Sequence, residues 1–515
     1  MSKKFKIVYS IIFFALCTLP LILMPFFKND PSIEKREFAK LPAYYENGSL
    51  NLDFGTGFEA WYNDRVPFRA NLLAAANFIK GETLHAETSN VMIGKDGWLF
   101  YANEAADYMN TNALSENQVK ATAVTLGLIQ ENVESRGGKF TFVAMPNKSS
   151  VYPEMVGGNY QQASENNLTR INDALDEAGV NHVDMKAVLT DAKMELAASS
   201  YRDPADKDGP TLYHRRDSHW NYMGALVGYD AIMTSLDKKH ESYSDKVFSE
   251  YSLRYDWRAD LDKLVYPAWG TMDKQYYYDV DHAEYKFSDP KGVRDQEAQL
   301  ELFMSDKEQG DDLFTIRNME LDDGSKLYMA RDSFGRALLP YIKDNYEYST
   351  YKRTDCPDIA NLEDGTDLVY EIGERNLYKV IAKAPFMYAP KRSEKDVTAI
   401  IDLVGNVKSY YKQEGYGTKI YGAFPEGTDM RDGRVLIQLS GGGKTYIYEA
   451  FPIYENSLMG AGDANAADGD GEESLNFGTD GFSATLKKDA LPAGEFELTV
   501  ITGGAKYTGE KIVIE

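Results

Sequence analysis

From about residue 91 the chain alternates short apolar runs with longer amphipathic ones, and this constrains its fold more than any other feature. Gly94-Lys95-Asp96-Gly97-Trp98-Leu99-Phe100-Tyr101 reads as a turn and a strand. Ser115-x-x-Gln118 has the form of a capping box that opens a helix, and Gly137-Gly138 closes it. Phe140 to Met145 reads as a strand that ends at Pro146-Asn147-Lys148. A helix near Ser164 to Ala178 follows, then a strand around Asn181 to Asp184 and a helix from Trp220 to Leu236. Lys326 to Ala330 reads as a strand with a helix from about Phe334. Asp367 to Ile372 reads as another, with a helix from near Glu374. Such alternation predicts an α/β domain: a mostly parallel sheet with helices on both faces. Active residues of such sheets gather at the carboxyl ends of the strands. Asn147, Asp217, His219, Ser333 and Glu371 all fall at those ends or in the loops that follow.

Two of these residues suggest chemistry. Asp217 and His219 stand two apart in His-Arg-Arg-Asp-Ser-His-Trp-Asn-Tyr, so in an extended segment their side chains point the same way. An imidazole so placed acts as a base while the carboxylate holds its tautomer and stabilises the imidazolium. Ser333, in Ala330-Arg331-Asp332-Ser333-Phe334-Gly335, sits at a strand–turn–helix, where helix N–H groups suit an oxyanion. Other readings stay open: His219 as a structural histidine capped by Asp217, and Ser333 as an ordinary helix cap. A metal site from His214, Asp217 and His219 lacks a fourth ligand. The reading calls for no cofactor and no metal.

The 515 residues are too many for one ordinary core, so two or three domains are expected. A net charge of −24 argues against nucleic acid and anionic lipid as ligands of the folded part. At the N-terminus Lys3, Lys4 and Lys6 precede an apolar run from Ile7 to Phe27, about the 20 residues that span a bilayer. The lysines predict that this end stays cytoplasmic. No Ala-x-Ala-like site follows, so residues 1–28 read as an uncleaved signal anchor, with cleavage as the alternative. Cys17 lies in a poor lipobox, and Cys356 has no partner in the exported part, so the fold relies on its core rather than on disulfides.

Residues 29–90 read as a stalk and a helical lead-in. Phe58, Trp61 and Tyr62 there suit packing on the main domain better than a ligand site. The α/β domain then spans 91–391. Within it residues 240–320 interrupt the alternation and are rich in Tyr and Trp, among them Trp257, Tyr266 and Trp269. These aromatics suit either a wall over a sugar site or plain packing. Residues 392–515, with strands at Val435–Leu439, Lys444–Tyr448 and Phe496–Ile501, read as a separate β-sandwich module, with carbohydrate binding as a candidate role. Residues 459–473, rich in Gly, Ala and Asp, lack the spacing of a calcium loop and read as a solvated loop.

Asp217-Ser218-His219-Trp220, together with Arg331-Asp332-Ser333-Phe334-Gly335, resembles the DHHW family. That family is related to the AlgX/AlgJ-type alginate O-acetyltransferases of the SGNH hydrolase superfamily. Gly94–Tyr101, Asn63-Asp64-Arg65-Val66-Pro67-Phe68-Arg69, Pro146-Asn147-Lys148 and Glu371-x-x-Glu374-Arg375 resemble further landmarks of that group, in the same order over residues 30–390. Ser218 stands where the family name has His, a position outside the triad. The resemblance implies an SGNH-like fold with Ser333 as nucleophile, His219 as base and Asp217 as its orienting carboxylate. It implies an acetyl-enzyme whose acetyl group passes to a cell-surface or secreted polysaccharide. The alternatives are a carbohydrate acetyl esterase and a non-catalytic polysaccharide-binding surface protein. Asn147, Lys148, Arg375 and Trp220 are then candidates for substrate or oxyanion contacts. A membrane-bound O-acyltransferase would supply the acetyl group, and a single-pass anchor would hold the domain beside it, outside the cytoplasm.

Overall fold

A computed structural model of the chain describes all residues except 1–2, 32–36, 47–48, 81–89, 159, 200, 202, 290–291, 295–312, 398–402 and 455–479. The loop expected at 459–473 therefore lies outside the described residues. The central sheet contains β1 (Phe140–Met145), β2 (His182–Val183), β3 (Tyr285–Asp289), β4 (Gly292–Arg294), β5 (Leu313–Asn318), β6 (Lys326–Arg331), β7 (Tyr348–Arg353) and β8 (Thr366–Gly373). Their order is β4-β3-β5-β7-β6-β8-β1-β2. Strands β7, β6, β8, β1 and β2 run parallel, with Leu368 opposite Phe140 and Met329 opposite Val369. Strands β5, β3 and β4 extend the β7 edge antiparallel.

The strands carry apolar residues on both faces, as a doubly covered parallel sheet requires. Phe140, Phe142, Leu368, Tyr370 and Ile372 point to one face, where they meet Val119, Leu126, Leu168 and Ile171 from helices Glu116–Ser135 and Asn167–Ala178. Val143, Met145, Met329 and Val369 point to the other, where they meet Leu189, Leu226 and Ile232 from helices Met185–Ala198 and Tyr222–Ser235. The expected capping box at Ser115 and Gln118 forms, each side chain bonding the other's N–H.

Residues 240–320 differ from the expected interruption, because three of their segments become sheet strands. The earlier part forms a hairpin, Ser252–Trp257 with Asp273–Tyr277, around helix Asp260–Val265. Helix Phe54–Arg65 and helix Arg69–Phe78 precede the domain. Ala74 packs with Leu261 and Val265, and Trp269 donates to Asn71 at 3.0 Å, so the lead-in packs on that hairpin region.

The N-terminal span requires a correction. Lys3–Leu23 is helical, but among the described residues no helix is long and apolar enough to cross a membrane. The helix ends at Leu23 while the apolar run continues to Phe27 in a turn.

The C-terminal region is rich in β-structure. The long strand Lys444–Ile453 pairs at its start with Val435–Gly441 and at its end with Gly481–Lys487, so it joins two groups of strands around one apolar cluster. This region packs on the α/β domain. Ala121 and Ile381 belong to its cluster, and Arg392 reaches both Glu131 and Glu449.

Candidate active site

Ser333 follows β6, Asn147 follows β1, and Glu374 and Arg375 follow β8, so three neighbouring strands deliver residues to one carboxyl edge. Asp217 and His219 come from the loop before helix Tyr222–Ser235. A bridge between Tyr213 and Trp220 closes that loop, and Asn221 caps the helix through Gly224 N–H. His219 Nε2 lies 2.8 Å from Ser333 Oγ, and His219 Nδ1 lies 2.7 Å from Asp217 Oδ1. Both distances are within hydrogen-bond reach. Asp217 is buried, whereas Ser333 and His219 are partly exposed.

The Asp217 carboxylate accepts four hydrogen bonds. Oδ1 takes His219 N–H and Nδ1, and Oδ2 takes Trp257 Nε1 at 3.0 Å and Asp260 N–H at 2.8 Å. Burial would raise this carboxyl, but the His219 bond and charge outweigh it and hold Asp217 far below the usual carboxylate range. Burial would lower His219, but the Asp217 hydrogen bond and charge prevail and raise the imidazole above its ordinary value. Asp217, His219 and Asp260 offer donor atoms within 4.8 Å of one another. They do not fit a metal, because N–H groups already face both Asp217 oxygens and His219 Nε2 is turned to Ser333. His214, the other expected ligand, stacks on Trp257 and bonds the Lys274 carbonyl through Nδ1.

The four substrate or oxyanion candidates separate. Lys148 is fully buried, and its ammonium donates to the carbonyls of His214, Arg215 and Asp217 at 3.1, 3.1 and 2.6 Å. It holds the Asp217 loop and is not a sugar contact. Trp220 is buried against Gly228, where a Cβ would lie 2.5 Å from the ring, and its indole donates to Phe334 O at 3.0 Å. It therefore locks the helix to the nucleophile turn and does not face a substrate. Asn147 gives one amide N–H to Asp107 at 2.9 Å and its backbone N–H to Glu374. Arg375 keeps an unused donor. Its guanidinium lies 5.3 Å from the Phe334 ring and 5.5 Å from the Tyr101 ring, and among the described residues its buried Nη1 has no hydrogen-bond partner.

The turn itself departs from expectation. A 3₁₀ turn, Phe334–Leu338, follows Ser333, and a single α-helical turn, Leu339–Ile342, comes only after it. Phe334 N–H goes to Asp332 and Gly335 N–H to Glu371, which leaves the Ser333 N–H as the remaining donor there among the described residues. Trp257 and Asp260 were not singled out as supports of Asp217. Trp257 carried only an aromatic signal within an irregular stretch, and Asp260 carried none.

Residues 91–303 match a family model described as SGNH hydrolase-like domain, acetyltransferase AlgX. The match includes Asn147, Lys148, Asp217, His219 and Trp220 and ends before Ser333 and Arg375. The chain is 28% identical over 194 residues to the probable alginate O-acetylase AlgJ of Pseudomonas aeruginosa, covering 37% of this chain and 44% of that protein. It spans less than half the length of the curated relatives it matches, at 44% and 48%. Similar solved structures include Bacillus cereus PatB1 with a sulfonyl adduct, at 16% identity and a TM-score of 0.41, covering 56% of this chain and 95% of that one. Another is a DHHW family protein from Eubacterium siraeum, at 15% identity and a TM-score of 0.38, covering 57% and 96%. The resemblance to AlgX/AlgJ-type proteins read from the motifs is thus met again in these comparisons over part of the chain.

Proposed function

We propose that this chain, which resembles the AlgX and AlgJ acetyltransferases over its central part, is an extracytoplasmic O-acetyltransferase that acts on a polysaccharide through an acetyl-serine. The observation that carries this reading is the unbroken relay from Asp217 through His219 to Ser333. In the first half-reaction Ser333 Oγ attacks the carbonyl carbon of a donor acetyl ester and gives its proton to His219 Nε2. The bond to the donor oxygen breaks, and that oxygen leaves with the proton. In the second half-reaction an acceptor hydroxyl attacks the acetyl-serine and gives its proton to His219, which returns it to the departing Oγ. Asp217 stays ionised and stabilises the imidazolium at both stages. Ser333 N–H and Arg375 are donors available to meet the substrate.

With water as acceptor the same site is a carbohydrate acetyl esterase. The partial exposure of the His219 side chain, 23%, favours this second reading whenever no sugar fills the site. The remaining parts follow as proposals. Residues 1–28 hold the chain at the membrane through exposed Ile7, Ile11, Phe14 and Phe26, residues 29–90 are a stalk and helical lead-in, and residues 91–391 are the catalytic domain. A membrane-bound O-acyltransferase supplies the acetyl group. Residues 392–515 form a β-sandwich that holds the acceptor. A cleft of about 620 Å³ where this region adjoins Tyr388 and Lys391, lined also by Tyr416, Tyr448 and Lys487, supports that role.

The test is mass spectrometry after incubation with an activated acetyl ester. One acetyl group is expected on the wild type and none on Ser333→Ala. No adduct and no ester cleavage, with retention on an immobilised polysaccharide, favours the non-catalytic binder. The pH profile offers a second check. His219 must be neutral to act as base, and its pKa lies above the ordinary value of 6.5, so activity falls as pH drops through a midpoint above 6.5. An acid limb centred below that value counts against His219 as base. For localisation, protease added to intact spheroplasts is expected to digest the folded part, and full protection would reverse the orientation.

A further inference from the structure

Two carboxyl groups flank the nucleophile and take no part in the relay. Glu371, in β8, is fully buried, and its Oε2 accepts the N–H groups of Asp332 at 3.0 Å and Gly335 at 3.1 Å. Asp332 answers from the turn. Its Oδ1 accepts Phe334 N–H at 2.8 Å, and its Oδ2 accepts Gly373 N–H at 2.9 Å, two residues beyond Glu371. The two strands are thus clasped in both directions around Ser333. A Cβ at residue 335 would lie 2.7 Å from Glu371 Oε2, so only glycine lets the turn sit this close. Glu371 Oε1 is buried with no donor among the described residues.

Glu371 and Asp332 thus lie against each other, Oε2 of the one on the N–H of the other. Two adjoining carboxyl groups, one of them fully enclosed, repel as anions, and this favours a proton on one of them. The surroundings decide which one. Asp332 is partly exposed, accepts two N–H groups and feels the Arg375 charge, which favours its anion. Glu371 is enclosed, and of the charged groups around it Asp332 opposes its ionisation while Arg331 only partly compensates. Burial and Asp332 together push Glu371 well above the ordinary glutamate value.

We propose that Glu371 is a positioning residue that works as a neutral acid beside the Asp332 carboxylate, its Oε2 gathering the turn that aims Ser333 at His219. The idea rests on the reading of Ser333 as nucleophile. The device resembles a latch whose closed state needs one proton. Ionised Glu371 would place two anions in contact and push the turn away from β8.

Glu371→Gln separates this proposal from a plain packing role, since the amide can accept the same N–H groups but cannot ionise. The infrared difference between wild type and Glu371→Gln at pH 7 is expected to show the carbonyl stretch of a protonated carboxyl group. Carboxylate bands in its place overturn the proposal. The Gln variant is expected to keep the rate of Ser333 acetylation within about threefold, whereas Glu371→Ala lowers it about 100-fold with little change in KM, as misplacement of a reacting atom does. Should the Ala variant not fold, the infrared band and the Gln rate still decide the matter. A Gln variant as slow as about 100-fold below wild type overturns the idea. In wild type the rate is expected to fall over the pH interval in which the band disappears, and in Glu371→Gln that fall is absent. If wild type forms no acetyl-serine at all, it is the nucleophile reading that fails. If it forms one and the Gln variant behaves like Ala, only the latch fails.

Discussion

Ser333→Ala is expected to lower turnover of an acetyl ester by about four to six orders of magnitude, with the fold unchanged. Ser333 is held at the end of β6 by contacts of its neighbours, Asp332, Phe334 and Gly335, and not by its own hydroxyl, whose hydrogen-bond partner is His219. Removing Oγ therefore removes the nucleophile without loosening the turn. His219→Ala is expected to cost a comparable factor, and the double variant little more than either, because nucleophile and base act as a unit. Asp217→Asn keeps the size of the side chain but not its charge, and is expected to cost less than loss of either partner, up to about 10⁴-fold. Steady-state kinetics on one activated ester compares all four. Ser333→Ala with half of the wild-type rate would remove Ser333 from the chemistry.

The second large effect concerns stability. Lys148→Met is expected to destabilise the protein by about 3–5 kcal/mol, the range for deleting one partner of a buried charged arrangement. The Lys148 ammonium is the donor for three carbonyls of the 214–217 loop and lies 5.1 Å from the Phe100 ring. Methionine fills much of the volume but leaves those carbonyls unpaired in the interior, each at a cost of about 1–3 kcal/mol. Urea unfolding measures the change as a lower midpoint at constant slope. An unchanged midpoint would mean that water or backbone shifts satisfy the loop. The same variant is expected to be slower, because the loop it loosens positions Asp217 and His219.

Much of the site was legible before the fold. Asp217 and His219 are two residues apart and share one environment for that reason, and Ser333 sits where an apolar run meets a Phe-Gly turn. These are short-range facts. The alternation of runs likewise predicted the parallel half of the sheet, since each strand declares itself by its own apolar residues. The sequence could not say where Lys148, Trp220 and Asn147 point, for the opposite reason. Each is polar or amphipathic and adjoins the motif, but whether it faces substrate or interior depends on chain distant in sequence. Lys148 meets residues 214 to 217, Trp220 meets Phe334, and Asn147 meets Asp107 and Glu374.

The sequence by itself determined the α/β alternation, the identities of the three relay residues and the β-rich character of the C-terminal region, because local periodicity and turn residues encode all of these. Only the tertiary structure decided which acids and aromatics support the relay. Trp257 and Asp260 reach Asp217 from a hairpin region some forty residues on, and Glu371 reaches the Ser333 turn from the neighbouring strand. It also decided that part of residues 240–320 extends the sheet. The physical reason is the same throughout. A hydrogen bond to a buried carboxylate, or an added edge strand, is set by which segments the packed core brings within about 3 Å of each other, and no single segment carries that information.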